Sequence, residues 1–485
     1  MKDNRQLLIK KITKYLGEQD VQKVSKAIDI AIQCHGDQLR GSGIKYFEHP
    51  IAVSLILSEM CMDTDTLITG LLHDTVEDTD LTLQDIESQF GKTVAKLVDG
   101  VTKLSKIEIL PKDQQQAANF HKFFVSISSD IRVLIVKLVD RLHNMRTIDG
   151  IKSEAKRYRI AVETMEIYSM LAARIGMDKI KNELQDISLS IIHPQIYRGI
   201  TSKVNKLLSN NDRFIDNVVE ILQSRIQEFG IKAEVKGRIK SNYSIWSKII
   251  NKNTNFENIS DIIAFRIITS DISKCYEALG AIHSKYTVVA SGFNDFISCA
   301  KSNGYRSIHT TILWDRNNKI EIQIRTERMD CDAEYGIAAH WIYKKGDLNF
   351  HDHQQLSWIK ESLDMLSHTK DRKEFLKNAK LDIQYQSIHC FDINHQRVAM
   401  QLGSTILDFA FATLNEKALK CVGAKVNGDI KNIDEVINNG DFIEILLSLH
   451  NKVTRRWLDI CNTTNAKVLI QKHLDKQKND QFEKI

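Results

Sequence analysis

His73-Asp74-Thr75-Val76-Glu77-Asp78 places one imidazole and three carboxylates within six residues, and its reading decides the architecture around it. At about 100° per residue, a helix through this stretch gathers His73, Asp74, Glu77 and Asp78 into an arc of about 140°. Carboxylates that close repel one another, and the crowding is costly without a cation among them. A solvated helix face spreads its acids or pairs them with Lys at i+4. Here no Lys or Arg follows before Lys92. The plainer reading is a polar helix end with an incidental His-Asp pair. Two distant segments argue against it, because each offers a further ligand.

The first segment is His49-Pro50, which opens the apolar stretch Ile51 to Leu57. Pro50 reads as the first helical residue and His49 as the cap, pointing outward from the helix start. The second is Val136 to Thr147, where Asp140, Asn144 and Thr147 recur at i, i+4 and i+7 on one narrow stripe. Flanked by Val136, Leu138, Val139 and Leu142, that stripe predicts a partly buried helix facing a site. Two imidazoles, His49 and His73, and two carboxylates, Asp74 and Asp140, suit a divalent ion that keeps positions open for water and a phosphate oxygen. Gly41-Ser42-Gly43 breaks the helices ahead of His49. It is either a plain turn or, after Arg40, a place where backbone approaches a phosphate.

Composition sets the limits. A chain of 485 residues is too long for one core, so several domains are expected. Its net charge of +5 accords with phosphorylated ligands and is too weak to argue for nucleic acid. The 8 cysteines include no C-x-x-C pair, which favours neither a disulfide framework nor a zinc ribbon. No apolar run has spanning length; Val133 to Val139 is short and broken by Lys137. A cytoplasmic protein without membrane contact is the expectation.

Residues 1–195 read as helical, with apolar residues at three- and four-residue spacing. From about 200 the pattern becomes mixed. Ser307, His309 and Thr311 alternate on one face of a strand, and Lys319 to Arg325 alternates with Ile320, Ile322 and Ile324 on the buried side. The opposite face carries Lys319, Glu321, Gln323 and Arg325, with Asp261 and Arg266 on a preceding segment. It reads either as a solvated sheet surface or as a nucleotide cleft with a carboxylate pair for Mg²⁺. Residues 346–385 read as a polar linker, whose His351-Asp352-His353 is not taken as a metal site. Val398, Met400 and Leu402 alternate, a helix is expected over Leu407 to Ala418, and turns at Asn427-Gly428 and Asn439-Gly440 separate short strands. That β-grasp-like pattern over 386–449 suggests a small binding module, followed by a basic helical tail over 450–485.

Several strings together resemble the RelA/SpoT-homologue family, the long enzymes that make and destroy guanosine tetra- and pentaphosphate. They are HDTVED, VDGVTKL (Val98 to Leu104), DIRVLIVKLVDRLHNMRT (Asp130 to Thr147), SNGYRSIHTT (Ser302 to Thr311), EIQIRT (Glu321 to Thr326) and AEYGIAAHW (Ala333 to Trp341). VGAKVNGD and NNGDFIEIL resemble that family's TGS domain, and the likeness runs from roughly residue 20 to 470. It is closest in kind to a SpoT-like long form, C-terminally shortened. The resemblance implies an all-α HD-type hydrolase domain, an α+β nucleotidyltransferase-like synthetase domain with a mixed sheet over 196–345, and a β-grasp TGS domain. For the hydrolase it implies Mn²⁺ held by His49, His73, Asp74 and Asp140. Glu77 and Asp78 would act on the attacking water, and Arg40, Ser42, Asn144 and Thr147 would line the nucleotide. The products would be GDP or GTP and pyrophosphate. For the synthetase it implies ATP held by Arg238, Lys240, Lys248 and Arg266, and Mg²⁺ and the acceptor hydroxyl served by Asp261 and Glu321. Lys301, Tyr305, His309 and Gln323 would face the acceptor, with Tyr305 stacked on guanine.

Departures from the family pattern matter as much. The family often has Lys where this chain has Gly41. Bifunctional members carry Arg-x-Lys-Asp where this chain reads Gly292-Phe293-Asn294-Asp295, and a common proline before Lys301 is Ala300. Each lost cation is worth on the order of 1–3 kcal/mol of charge-assisted hydrogen bonding. A weak or inactive synthetase beside a working hydrolase is therefore expected. The alternatives are a fully bifunctional enzyme, or a catalytically quiet regulator that binds nucleotides or a protein partner through the TGS-like module. Leu414 stands where the family commonly has His, and the sequence ends soon after the module, so contact with ribosome or tRNA is not expected.

Overall fold

The computed structural model describes residues 2–105, 130–209, 213–251, 255–256, 259, 262–300, 304–314, 319–339, 342, 387–450, 453–463, 466–467 and 469–474. The expected linker, its His351-Asp352-His353 cluster, Asp261 and Lys301 lie outside these residues. The described residues form two units, one up to residue 342 and another from residue 387.

In the first unit, residues up to 209 are helical: α1 (Lys2–Ile12), α2 (Glu18–His35), α3 (Glu48–Glu59), α4 (Thr64–Leu72), the single-turn α5 (Thr75–Asp78), α6 (Leu83–Phe90), α7 (Lys92–Ser105), α8 (Arg132–Arg146), α9 (Glu154–Glu163), α10 (Ser169–Arg174), α11 (Asp178–Ile192) and α12 (Pro194–Ser209). Two of them are central. α4 buries Thr66 to Leu72 without a break, and α8 buries Val133 to Asp140 in the same way. Helices enclosed on all sides belong to the middle of a core. Their starts share one polar node. Asp63 caps α4 by accepting from the Thr66 N–H at 2.8 Å, while Arg132 reaches Asp63 at 3.2 Å and Asp130 at 2.7 Å. From that node, at about 1.5 Å per residue, α8 and α4 carry Asp140 and His73 roughly 12 and 15 Å along.

Two local expectations need correction. One helix does not run through His73 to Asp78: α4 stops at Leu72, His73 and Asp74 make a turn, and α5 follows. Both turn residues keep right-handed angles (φ −61°, ψ −31° and φ −93°, ψ −13°), so the chain bends without reversing. The Thr75 hydroxyl donates to the Leu72 carbonyl at 2.7 Å, competing with the helical ladder at that point. Nor is His49 an outward-pointing cap. α3 starts at Glu48, which places His49 in the first turn with 1% exposure. Pro50 is tolerated there because first-turn N–H groups have no helical acceptor.

The rest of this unit is a mixed sheet with its helices. After α13 (Phe214–Glu228) come β1 (Ala233–Ile239), α14 (Asn242–Asn251), β2 (Ile263–Thr269), α15 (Ile272–His283), β3 (Asn294–Asp295), β4 (Ile308–Leu313), β5 (Lys319–Thr326) and α16 (Glu327–Tyr335). The strand order is β1-β2-β5-β4-β3, with β2 and β5 parallel and the other neighbours antiparallel. α13 and α15 cover one face, setting Leu222, Ile226, Cys275 and Ala278 in a common core with Phe265, Ile267, Ile322 and Ile324. Ile320, Ile322 and Ile324 are buried as their alternation predicts. Arg325, expected to face outward, is only 1% exposed, because Asp330 draws it in at 2.7 Å. The helices join the sheet closely. The Ile337 N–H donates to the Ile175 carbonyl at 3.0 Å. Asp186 of α11 accepts from the N–H groups of Asn242 (3.3 Å) and Tyr243 (2.8 Å), capping α14 from outside.

In the second unit β6 (Ser387–Phe391) pairs with β7 (Arg397–Gln401), and a separate sheet has the order β10-β8-β9 over Ile443–Leu447, Cys421–Val426 and Asp429–Lys431. Leu402, expected to extend the alternation, falls past β7 and is exposed. α17 (Ile406–Leu414) lies beneath, with Thr405 and Asp408 forming a capping box. The described residues of the expected basic helical tail pack onto the module. Trp457 at the head of α18 (Trp457–Ile460), Cys461, Ala466 and Ile470 share a core with Leu407, Ala410, Phe411 and Cys421. Buried Asp408 ties them together, accepting from the Thr405 N–H (2.9 Å), the Asn462 N–H (3.0 Å), and the N–H (2.8 Å) and hydroxyl (2.7 Å) of Thr463. Among the described residues no helix is long and apolar enough to cross a membrane. Asp408→Ala strands these donors inside the core and is expected to cost the second unit about 3 kcal/mol. A urea midpoint for this unit that matches the parent protein would contradict that account.

Candidate functional site

His49, His73 and Asp140 meet at the convergence of α3, α4 and α8. One ligand atom from each lies within 4.8 Å of the others. The His49 Nε2 is 3.2 Å from Asp140 Oδ1 and 3.5 Å from Asp74 Oδ2, and the His73 Nε2 is 3.2 Å from Asp74 Oδ1 and 3.7 Å from Asp140 Oδ1. Asp74, on the turn after His73, stands outside that trio and borders it at its less buried edge. The surroundings aim these atoms inward. The His73 Nδ1 bonds the Gly70 carbonyl at 2.9 Å, which turns its Nε2 toward the carboxylates. Lys137 donates to Asp140 Oδ2 at 2.8 Å, and Asn144 donates to Oδ1 at 2.6 Å.

The electrostatics call for a cation. Burial opposes charge on His73, yet Asp74 and Asp140 outweigh it and raise its pKa to about 9. Burial likewise resists ionisation of Asp140, but Lys137 and the two imidazoles hold its carboxyl well below the ordinary range. The His73 Nε2 is buried and makes no hydrogen bond despite the nearby oxygens. An orphaned imidazole nitrogen facing two carboxylates fits the donor set of a divalent ion.

Around this centre stand Tyr46, Arg40 and His143. The Tyr46 hydroxyl lies 3.1 Å from Asp74 Oδ2 and 2.9 Å from Asp78 Oδ2. Burial and these two acids push its pKa far up, so it remains a donor. Arg40 donates to the Asn144 side-chain amide oxygen Oδ1 and, at 3.2 Å, to the Thr147 hydroxyl. Three expected nucleotide contacts thereby join Asp140 through one chain of bonds. Ser42 sits on the exposed hairpin between Arg40 and Ile44, close to Gly150. A Cβ on Gly41 would stand 3.0 Å from the Gly150 carbonyl, so a lysine there needs a small shift of the loop. Glu77 is exposed on α5 beside Asp78. The His143 Nδ1 lies 2.7 Å from the His49 Nδ1, and burial, His49 and Arg40 depress its pKa to about 3. The sequence reading missed Tyr46, Lys137 and His143. Spacing was the available signal: Lys137 and His143 flank Asp140 at i−3 and i+3, and Tyr46 precedes His49 by three positions.

The open face of the sheet gathers a second set. Cross-strand register aligns Arg266, Gln323, His309 and Asn294 in one row, and Arg238, Ala264, Glu321 and Thr311 in the next. The Tyr305 hydroxyl is 2.7 Å from the His309 Nε2, and Gln323 donates to Glu321 at 2.9 Å. Arg238 and Arg266 line a cavity of about 500 Å³ whose far wall is Lys179, Glu183 and Asp186 of α11. Arg266 is held by Asp330 and Glu334, each at 2.9 Å. Lys240 follows β1, its N–H bonded to the Ile262 carbonyl, and Lys248 lies in the last turn of α14.

The Gly292 loop folds onto β4. A Cβ at Gly292 would sit 2.4 Å from the Thr311 hydroxyl oxygen and 2.5 Å from its Cβ, so any side chain there displaces backbone. Asn294 is exposed opposite His309, while Asp295 accepts from the Ile297 and Ser298 N–H groups and the Tyr276 hydroxyl. Gly292→Ala is expected to lower stability by about 1–3 kcal/mol through overpacking. The exposed Asn294→Lys should change it by less than about 0.5 kcal/mol. Equal melting temperatures for the two variants would remove the steric argument.

Comparison with known proteins agrees with this division. Residues 27–178 match the HD domain, residues 237–348 a region found in RelA / SpoT proteins, and residues 393–447 the TGS domain. Over 473 residues the chain is 40% identical to a GTP pyrophosphokinase of Myxococcus xanthus, covering 97% of this chain and 62% of that protein. It is 40% identical over 472 residues to the GTP pyrophosphokinase rsh of Brucella abortus (strain 2308), covering 96% of this chain and 63% of that one. It is 38% identical over 471 residues to the bifunctional (p)ppGpp synthase/hydrolase SpoT of Escherichia coli (strain K12), covering 97% of this chain and 67% of that protein. The chain thus spans a little under two thirds of the first two relatives.

Proposed function

We propose, starting from the fact that this chain belongs to the RelA/SpoT family, that its helical half removes the 3′-pyrophosphate of guanosine tetra- and pentaphosphate, yielding GDP or GTP. The sheet half is a weak or silent site for pyrophosphate transfer from ATP to GDP or GTP with Mg²⁺. The reading assigns hydrolysis to residues 1–195, synthesis to 196–345, a linker to 346–385 and a partner-binding TGS module to 386–449, with a tail to 485. The cytoplasm, where these nucleotides occur, is the compartment it implies. The observation that carries the reading is the meeting of His49, His73 and Asp140 around the unbonded His73 nitrogen.

His49, His73, Asp74 and Asp140 would hold Mn²⁺, which supplies charge neutralisation at phosphorus and acidifies water in its field. Glu77 and Asp78 stand beside the ligand turn as acceptors for the proton of the attacking water. Tyr46 limits the freedom of Asp78 and Asp74 by its hydroxyl. Arg40, oriented by Asn144 and Thr147, offers its guanidinium to the phosphates, and Ser42 lies on the same hairpin. In the sheet half the packing of Gly292 on Thr311 supports weak synthesis, since it leaves no room for a cation at position 292. A fully bifunctional enzyme is the second reading, favoured by the intact grouping of Tyr305, His309, Gln323 and Glu321.

Paired assays separate the readings. Purified protein with Mn²⁺ and guanosine tetraphosphate should release pyrophosphate, and with Mg²⁺, ATP and GDP should form at least tenfold less product than a bifunctional relative. Product at comparable rates in both establishes the second reading, and silence in both leaves a binding protein. Asp74→Ala should lower hydrolysis by more than about 100-fold with an unchanged circular dichroism spectrum. Retained turnover in that variant would remove Asp74 from the ligand set.

A further inference from the structure

The contact between His49 and His143 is a bond between two like nitrogens. Their Nδ1 atoms are 2.7 Å apart, with ring centroids at 4.8 Å and planes tilted by 43°. At that separation one proton lies between the atoms: two N–H groups would collide, and two lone pairs would repel. Two assignments remain. If the proton belongs to His143, the proton of His49 is on Nε2, directed at Asp140 Oδ1 at 3.2 Å. If it belongs to His49, the Nε2 lone pair is released toward the ligand group.

We propose that His143 is the positioning residue of the metal centre, accepting the Nδ1 proton of His49 and so selecting the tautomer able to ligate. The inference rests on the reading of His49 as a ligand. Loading the site exchanges one tautomer for the other. The proton on His49 Nε2 departs to solvent, the proton between the Nδ1 atoms settles on His49, and His143 takes one from solvent at Nε2. The pair holds the same number of protons before and after. His73 meets the same requirement differently, by donating to the Gly70 carbonyl, an acceptor that has no second state. His49 alone depends on a partner that itself has two tautomers.

The test is Mn²⁺ affinity, read from the electron paramagnetic resonance signal of the free ion, on the whole chain and two variants. His143→Leu removes the acceptor and is expected to weaken Mn²⁺ binding 10- to 100-fold. His143→Asn places an amide oxygen near the Nδ1 position and should stay within about threefold of the parent. Thermal unfolding of each variant separates loss of acceptor from loss of fold. Parent-like affinity in His143→Leu overturns the proposal, as does equal loss in both variants, which would mark His143 as packing alone. Failure of the parent protein to bind Mn²⁺ would overturn the metal reading itself, an outcome distinct from either.

Discussion

Asp140 brings a negative charge into the middle of an apolar helix, and its neighbours are arranged to answer it. An ionised carboxylate in such a place is costly unless paired and fully hydrogen-bonded. Lys137 takes one oxygen, and Asn144 and His49 attend the other. Lys137 must itself be buried to do this, and it lies on the same helix three residues earlier. The arrangement holds only if α8 stands in one position relative to α3 and α4. The Asp63–Arg132–Asp130 node at the helix starts holds it there. A charge that would otherwise expel itself thus sets the register of the helical core.

The same helix reaches toward the sheet. Arg146, at the end of α8, grips Glu183 of α11 at 2.5 Å, and Glu183 lines the cavity that holds Arg238 and Arg266. Lys179, one turn earlier on α11, lies against both Glu59 of α3 and the ring of Tyr335. One helix therefore borders the scaffold of the His49–His73–Asp140 group on one side and the open face of the sheet on the other. In packing terms the two halves form one body, although their sequence patterns change sharply near residue 200.

What was legible in the sequence follows the range of the physics. Period-two alternation placed Ile320, Ile322 and Ile324 inside, because a strand's faces are decided by its nearest neighbours. The meeting of His49, His73 and Asp140 was legible because charge crowding in His73 to Asp78 has few solutions. Its local geometry was not: the break at His73-Asp74 depends on a Thr75 hydroxyl choosing the Leu72 carbonyl, a choice invisible to periodicity. Arg325 belonged by pattern to the outer face and went inside because Asp330 waits there from the next helix. The tail read as a basic helix because its few apolar residues are scattered, and only the fold brings Trp457, Cys461, Ala466 and Ile470 into one core. His143 escaped because its partner lies 94 positions away in the chain.

Asp186 closes the first turn of a helix that is not its own. The backbone N–H groups of Asn242 and Tyr243 find their acceptor across the junction, so the start of the element bearing Lys248 is furnished by the neighbouring half. A carboxylate of the helical region is thereby a structural part of the sheet region. Replacement at position 186 would be felt at the start of the helix that bears Lys248 before it was felt among the helices where it resides. The two regions are thus joined through backbone as well as side chains, and the sheet taken alone would lack this cap.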